Sequence, residues 1–146
     1  MCLPKATVYQ NAQNHKRDSY SNEERQVIHK SKILLEKYDG EVPSGMDQLT
    51  ELPGVGRKIA NLIRGDVFGI PGVVVDTHCM RLSKRMGLTR ETEQHKIEKD
   101  LVKKIPKDYQ TLFCHQLVEH GRKYCTARSP KCEECILKDM CRKKLM

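Results

Sequence analysis

The sequence of 146 residues predicts an all-α fold. From Glu23 onward, apolar residues recur at helical spacing, and glycine or proline separates one periodic segment from the next. The one extended apolar run, Val73-Val74-Val75, has no second strand pattern nearby and reads as a lead-in to a helix. We therefore expect a loose tail over residues 1–22, a helical domain over residues 23–121 and a cysteine-rich loop over residues 122–146.

The first three predicted helices lie before this lead-in. The first begins near Glu23, ends at Gly40 and places these residues on one face: Val27, Ser31, Leu34, Leu35 and Tyr38. Ser44, with Asp47 three residues later, resembles a capping arrangement that opens a short helix. Pro53-Gly54-Val55-Gly56 ends that helix. The third helix is expected to turn four side chains inward, namely Ile59, Leu62, Ile63 and Val67.

Three more helices are predicted after the lead-in. Asp76 stands at the start of the first of them and Gly87 at its end. The next ends before Pro106 and uses Ile97, Leu101, Val102 and Ile105. The last carries Tyr109, Leu112, Phe113, Gln116, Leu117 and His120, with Gly121 as its stop. Cys79 and Cys114 fall within helical patterns and are expected to be small buried hydrophobes.

Composition narrows the class of partner. The formal net charge is +8 and the isoelectric point is near 9.2, which favours nucleic acid, with an anionic membrane surface as the alternative. No apolar run approaches the roughly 18–20 residues that span a bilayer. Residues 1–22 lack the apolar stretch of a secretory signal. Seven cysteines in such a chain indicate an intracellular, reducing compartment and a metal centre.

Four cysteines close the chain with the spacing C-x6-C-x2-C-x5-C: Cys125, Cys132, Cys135 and Cys141. Four thiolates suit either a [4Fe–4S] cluster or tetrahedral zinc. Zinc folds typically use two C-x2-C pairs and this chain has one, so iron–sulfur is favoured, zinc is the alternative, and a disulfide pairing ranks below both. Arg128 and Lys131 lie between the first two cysteines, where a metal centre would hold them toward a phosphate backbone.

The segment Leu52-Pro53-Gly54-Val55-Gly56-Arg57-Lys58 reads as a tight turn between two helices. Its glycines allow a sharp reversal and leave backbone N–H groups bare at the next helix N-terminus, where the dipole favours a phosphate oxygen. Val55 is expected to point inward. Such a turn would grip DNA without reading its sequence; an ordinary αα-turn is the alternative.

Three segments in this order resemble the endonuclease III family, which comprises helix-hairpin-helix DNA glycosylases that also cleave abasic sites. They are residues 52–58, Val75-Asp76-Thr77-His78, and His120-Gly121-Arg122 before the four cysteines. The resemblance covers residues 24–146. It implies a partial glycosylase fold, a [4Fe–4S] cluster on the four cysteines, and double-stranded DNA with damaged bases or abasic sites as partner.

The resemblance also implies roles for single residues. Lys58 becomes the Schiff-base lysine. A lysine amine is a nucleophile only if its pKa falls, which partial burial and nearby cations such as Arg57 could achieve. Asp76 becomes the essential carboxylate. The alternatives are a surface cation and a plain helix cap worth about 1 kcal/mol. Residues implied in DNA contact are Pro53, Gly54, Val55, Gly56, Arg57, His78, Arg122, Arg128 and Lys131, although a packed helical role for His78 is equally open.

The chain departs from the family before the hairpin, where relatives usually carry several more helices that close the lesion pocket. The leading expectation is a glycosylase and β-lyase for oxidised pyrimidines. A truncated, catalytically impaired DNA-binding module is the alternative, and a zinc-stabilised structural domain is a third reading.

Overall fold

The computed structural model describes residues 21–142. Within them every regular element is helical, which confirms the predicted all-α class. The helices are α1 (Asn22–Tyr38), α2 (Met46–Thr50), α3 (Arg57–Asp66), α4 (Thr77–Met86), α5 (Gln94–Lys104) and α6 (Gln110–Lys123), with a 3-10 turn at Lys107–Tyr109. No helix among the described residues is long and apolar enough to cross a membrane. The described residues form two compact units, which divide between Ala60 and Asn61.

Helix α1 in the first unit begins with a capping box. The Ser21 hydroxyl accepts a hydrogen bond from the Glu24 N–H at 3.3 Å, and the Glu24 carboxylate accepts one from the Ser21 N–H at 2.7 Å. The helix ends where Asp39 and Gly40 adopt φ values of 52° and 82°. The predicted extent of this helix is confirmed, while residues 1–20 of the predicted tail lie outside the described residues.

The short helix α2 does not begin as predicted. Its N-cap is Gly45, and no side chain caps it, so the Ser44 cap is wrong. The hairpin side chain Val55 is buried, as expected, and joins the small core of this unit. That core consists of Leu49, Leu52, Val55 and Ala60.

In the second unit, helices α4, α5 and α6 enclose the extended segment Val73–Val75. The buried cluster comprises Val73, Val74, Val75, Cys79, Leu82, Ile97, Leu101, Cys114 and Leu117. Cys79 and Cys114 are buried as predicted. A hydrogen bond with Cys114, together with burial, raises the pKa of the Cys79 thiol, and the Val74 N–H donates to the Cys114 sulfur at 3.2 Å. Both thiols are therefore part of the packing.

Helix α3 turns a different face inward from the one predicted. Ile59, Leu62 and Val67 are exposed. The buried positions are Ala60 and Asn61. The Asn61 amide donates to the Val73 carbonyl at 3.3 Å and to the Glu98 carboxylate at 3.1 Å. Polar bonding and small residues thus set the orientation. Three further side chains that were expected to point inward are exposed, namely Val102, Tyr109 and Leu112.

Gly121 was predicted to end the last helix, and this is wrong because α6 continues to Lys123. Gly121 is buried at a close approach to helix α4. A Cβ placed on Gly121 would lie 2.5 Å from His78 Nδ1 and 3.0 Å from Arg81 Nη2. The glycine is therefore required by helix packing.

Candidate functional site

The hairpin turn lies in the first unit and has the geometry that the sequence predicted. Gly54 has a φ of 75°, and the Val55 N–H donates to the Leu52 carbonyl at 3.0 Å. A Cβ built on Gly56 would meet no heavy atom within 4 Å, so the space above that residue is open. Helix α3 begins at the next residue, and its first N–H groups have no partner inside the helix. The turn can thus present backbone donors to an anion.

Lys58 occupies the first turn of α3, directly after Arg57. Its side chain is exposed, so the partial burial expected from the sequence is absent in this structure. Exposure leaves the amine accessible to a large substrate such as DNA.

Asp76 is the N-cap of α4, as predicted. Its Oδ1 accepts a hydrogen bond from the Cys79 N–H at 2.7 Å. The three buried valines that precede Asp76 anchor this cap at the edge of the second unit's core. Lys58 and Asp76 belong to different compact units, and their joint action remains a prediction.

His78 lies in the first turn of α4 and packs inside its own unit. The Arg81 guanidinium is 3.2 Å from His78 Nδ1, and the ring also lies against the backbone of Gly121. These contacts give His78 a packing role. Its contact with DNA stays a prediction.

The four cysteines of the loop line one cavity in the second unit. Helix α6 leads directly into it, because the Cys125 N–H donates to the His120 carbonyl at 2.9 Å. His120 Nε2 lies 3.4 Å from the Cys135 sulfur, and burial lowers the His120 pKa. Among the described residues, no three His, Cys, Asp or Glu side chains close on a single ion. Four thiols around one cavity, with a ring nitrogen at one of them, suit a thiolate-ligated cluster.

Two arginines of α4, which sequence reasoning missed, hold the start of the loop. Arg81 donates to the Cys125 carbonyl at 3.0 Å. Arg85 donates to the Thr126 carbonyl at 2.7 Å and to the Ala127 carbonyl at 2.8 Å. Arg81 and Arg85 are four residues apart and so share one helix face, which was the signal available in the sequence. A pair of basic residues on a helix usually faces solvent, however, so this signal did not indicate contact with the loop.

The basic residues predicted to face phosphate are exposed: Arg122, Arg128 and Lys131. The loop that carries Arg128 is folded, because the Thr126 hydroxyl donates to the Ser129 carbonyl at 2.7 Å. The Lys131 N–H donates to the Tyr124 carbonyl at 2.9 Å, which closes the loop against the end of α6.

Two family models match the chain. Residues 37–65 match the helix-hairpin-helix motif. Residues 125–141 match the iron–sulfur binding domain of endonuclease III, and this range begins at the first loop cysteine and ends at the fourth.

Relatives resemble the chain over most of its length. Endonuclease III of Bacillus subtilis is 44% identical over 124 residues, which cover 84% of this chain and 57% of the relative. The Synechocystis protein of the same name is 43% identical, over 87% and 58% of the two chains. The Escherichia coli protein is 38% identical, over 84% of this chain and 58% of the relative. The chain thus spans less than two thirds of the length of these relatives.

Solved structures show the same fold. The structure of a trapped endonuclease III–DNA covalent intermediate has a TM-score of 0.79 at 39% sequence identity. The matched region covers 97% of this chain and 66% of the chain in that structure. A non-covalent endonuclease III–DNA complex gives a TM-score of 0.79 at 39% sequence identity, and the match covers 97% of this chain and 65% of the chain in that structure. A thermostable thymine-DNA glycosylase, at 23% identity and a TM-score of 0.75, shares the fold.

The hairpin turn and the cysteine loop together define a helix-hairpin-helix protein with an iron–sulfur binding domain. Its cofactor is a [4Fe–4S] cluster, the first of the two metal centres that the cysteine spacing allowed. The chain belongs to the endonuclease III family.

Proposed function

We propose that the chain provides a DNA N-glycosylase and abasic-site lyase activity of base excision repair, directed at oxidised pyrimidines. Lys58 is the nucleophile and Asp76 the carboxylate that assists it. The observation that carries this proposal is the identity of 38–44% to endonuclease III over at least 84% of the chain. The exposed amine of Lys58, next to the open glycine turn, supports it.

In this mechanism the neutral Lys58 amine attacks C1′ of the damaged nucleotide, and the bond from C1′ to the base breaks. The base leaves with the bonding electrons and takes up a proton. The attached amine then loses a proton and the C1′–O4′ bond breaks, with the ring oxygen taking up a proton, which leaves a Schiff base at C1′. The Schiff base acidifies the C2′ proton, so that a general base can remove it and the 3′-phosphate leaves by β-elimination. Water then releases the amine. An abasic site enters the same sequence when the amine condenses with its C1′ aldehyde and one water leaves.

Asp76 supplies negative charge near the sugar. One of its oxygens accepts a hydrogen bond from the Cys79 N–H, which fixes the carboxylate at the N-terminus of α4. The second oxygen is the one proposed to stabilise oxocarbenium-like charge and to take a proton from the Lys58 ammonium.

Phosphate contacts are proposed to come from two places. The hairpin turn, which is open at Gly56, offers backbone N–H groups, and the folded loop offers Arg128 and Lys131. The proposed cluster ligands are Cys125, Cys132, Cys135 and Cys141, which line one cavity. The cluster, when bound, crosslinks the loop, and the loop's own side chains then add affinity that is independent of sequence and sensitive to salt.

Borohydride trapping on a duplex with one abasic site tests the catalytic proposal. Borohydride reduces a Schiff base to a stable amine, so the wild-type chain should form a covalent protein–DNA adduct and Lys58→Ala should form none. Lys99→Ala is the matched control, because Lys99 is also an exposed helical lysine and should keep the adduct. Absence of an adduct with the wild-type chain, or persistence of the adduct in Lys58→Ala, rejects the proposal.

A second candidate function, a DNA-binding module without catalysis, is favoured by one observation: Lys58 and Asp76 belong to different compact units. In that case the hairpin and the loop bind DNA, and catalysis is lost. Binding to undamaged and abasic duplexes with equal affinity, without any trapped adduct, would identify this module. A trapped adduct excludes it.

A further inference from the structure

The structure assigns Arg85 as the cation that balances the negative charge of the cluster. Its guanidinium donates a hydrogen bond to the sulfur of Cys125, the first cluster ligand. The inference rests on the cofactor and on the geometry of α4, and it does not depend on the proposed DNA chemistry. Arg85 Nη1 lies 3.4 Å from the Cys125 sulfur. The side chain lines the same cavity as all four thiols.

Arg85 is buried to an unusual degree for a charged residue, since 8% of its surface is exposed. Arginine is almost never this buried unless its charge is paired, because taking a cation out of water is costly. Its oxygen acceptors are the neutral carbonyls of Thr126 and Ala127. Within residues 21–142, none of the ion pairs found reaches its guanidinium.

The loop supplies the missing counter-charge when the cluster is bound. Four thiolates carry more negative charge than the iron–sulfide core carries positive charge, so the ligated cluster is an anion. The fixed fork of the guanidinium can reach two carbonyls and one sulfur at once. Arg85 also meets the last ligand, because its own carbonyl lies 3.8 Å from the Cys141 sulfur. The first and the fourth cysteine thus converge on one residue.

This placement has a measurable consequence. Hydrogen bonds to cluster sulfurs and nearby cations favour the more negative, reduced state of a cluster and so raise its reduction potential. Removing the positive charge of Arg85 should favour the oxidised state by about tenfold, which is a shift of about 59 mV to lower potential for a one-electron couple.

The test is the midpoint potential of the purified, cluster-loaded full chain, measured for Arg85→Lys and Arg85→Gln. Lysine keeps the charge, whereas glutamine keeps donors for the carbonyls and loses the charge. We expect Arg85→Lys to stay near the wild-type potential and Arg85→Gln to fall by the amount above. Lys84→Gln is the matched control: it removes the same charge from the same helix turn, but Lys84 does not line the cavity, so the potential should change little.

Equal potentials in wild type, Arg85→Lys and Arg85→Gln would overturn the inference. If a variant holds too little cluster for voltammetry, iron per chain after anaerobic purification becomes the readout. Charge balance predicts more iron in Arg85→Lys than in Arg85→Gln. A clamp that acts through the carbonyls alone predicts the reverse order, because glutamine keeps two N–H donors and a planar head.

Discussion

The close approach of α6 to α4 at Gly121 gives a prediction in which two effects oppose each other. Replacing a helical glycine by alanine normally stabilises a helix by about 0.5–1 kcal/mol. In Gly121→Ala, however, the new methyl group would lie 2.5 Å from His78 Nδ1 and 3.3 Å from Leu82 Cδ1. Overpacking of this kind costs about 1–3 kcal/mol. We therefore expect a net loss of about 1 kcal/mol in the free energy of unfolding.

Chemical denaturation followed by circular dichroism measures this loss as a lower midpoint at an unchanged slope. His78→Ala removes the ring that the new methyl group would meet, so in that background Gly121→Ala should cost less or become stabilising. A variant Gly121→Ala that is more stable than wild type would show that the two helices are not in close contact here. A cost that His78→Ala leaves unchanged would show that the new methyl group does not meet the His78 ring.

Three further predictions follow from single residues. Asp76→Ala should lower the free energy of unfolding by about 1 kcal/mol through loss of the cap, whereas Asp76→Asn should keep that stability and lose the trapped adduct; an active Asp76→Asn would contradict the proposed role. Gly54→Ala should destabilise the chain by about 1 kcal/mol, because its φ of 75° disfavours a Cβ, and an unchanged unfolding midpoint would refute this. Arg128→Ala should weaken DNA binding and lower the slope of log affinity against log salt by about one, while a purely solvated Arg128 would leave the slope unchanged.

The sequence predicted the helices well because their boundaries are local. Gly40 and Gly87 end helices where the backbone takes a positive φ, and Asp76 caps α4 through its own side chain. Glycine, proline and short polar residues act on their neighbours along the chain, so their positions can be read from the sequence. The predicted cap at Ser44 was wrong because a serine followed by an acidic residue is also common outside helix caps. The N-cap of α2 is Gly45.

Packing across the fold was harder to predict. The hydrophobic period of α3 pointed to Ile59 and Leu62, yet these side chains are exposed, and Asn61 faces the Val73 carbonyl. Gly121 looked like a helix stop because a glycine that ends a helix and one that admits a neighbouring helix are identical in sequence. The role of Arg85 could not be predicted either, because its hydrogen-bond acceptors lie about forty residues away along the chain.

The candidate site divides in the same way. The cysteine spacing located the metal loop, and the glycine spacing located the hairpin, because each motif is continuous in sequence. Lys58 is exposed, which the sequence could not show, because the exposure of a side chain depends on surroundings that no local pattern contains.

The central claim is that Lys58 forms a covalent bond with the sugar of a damaged nucleotide, and peptide mapping of the trapped adduct tests it most directly. After borohydride reduction and digestion of both protein and DNA, mass spectrometry should find the sugar remnant on the peptide that contains Lys58. A remnant on another lysine or on the N-terminal amine, with Lys58 unmodified, would contradict the account.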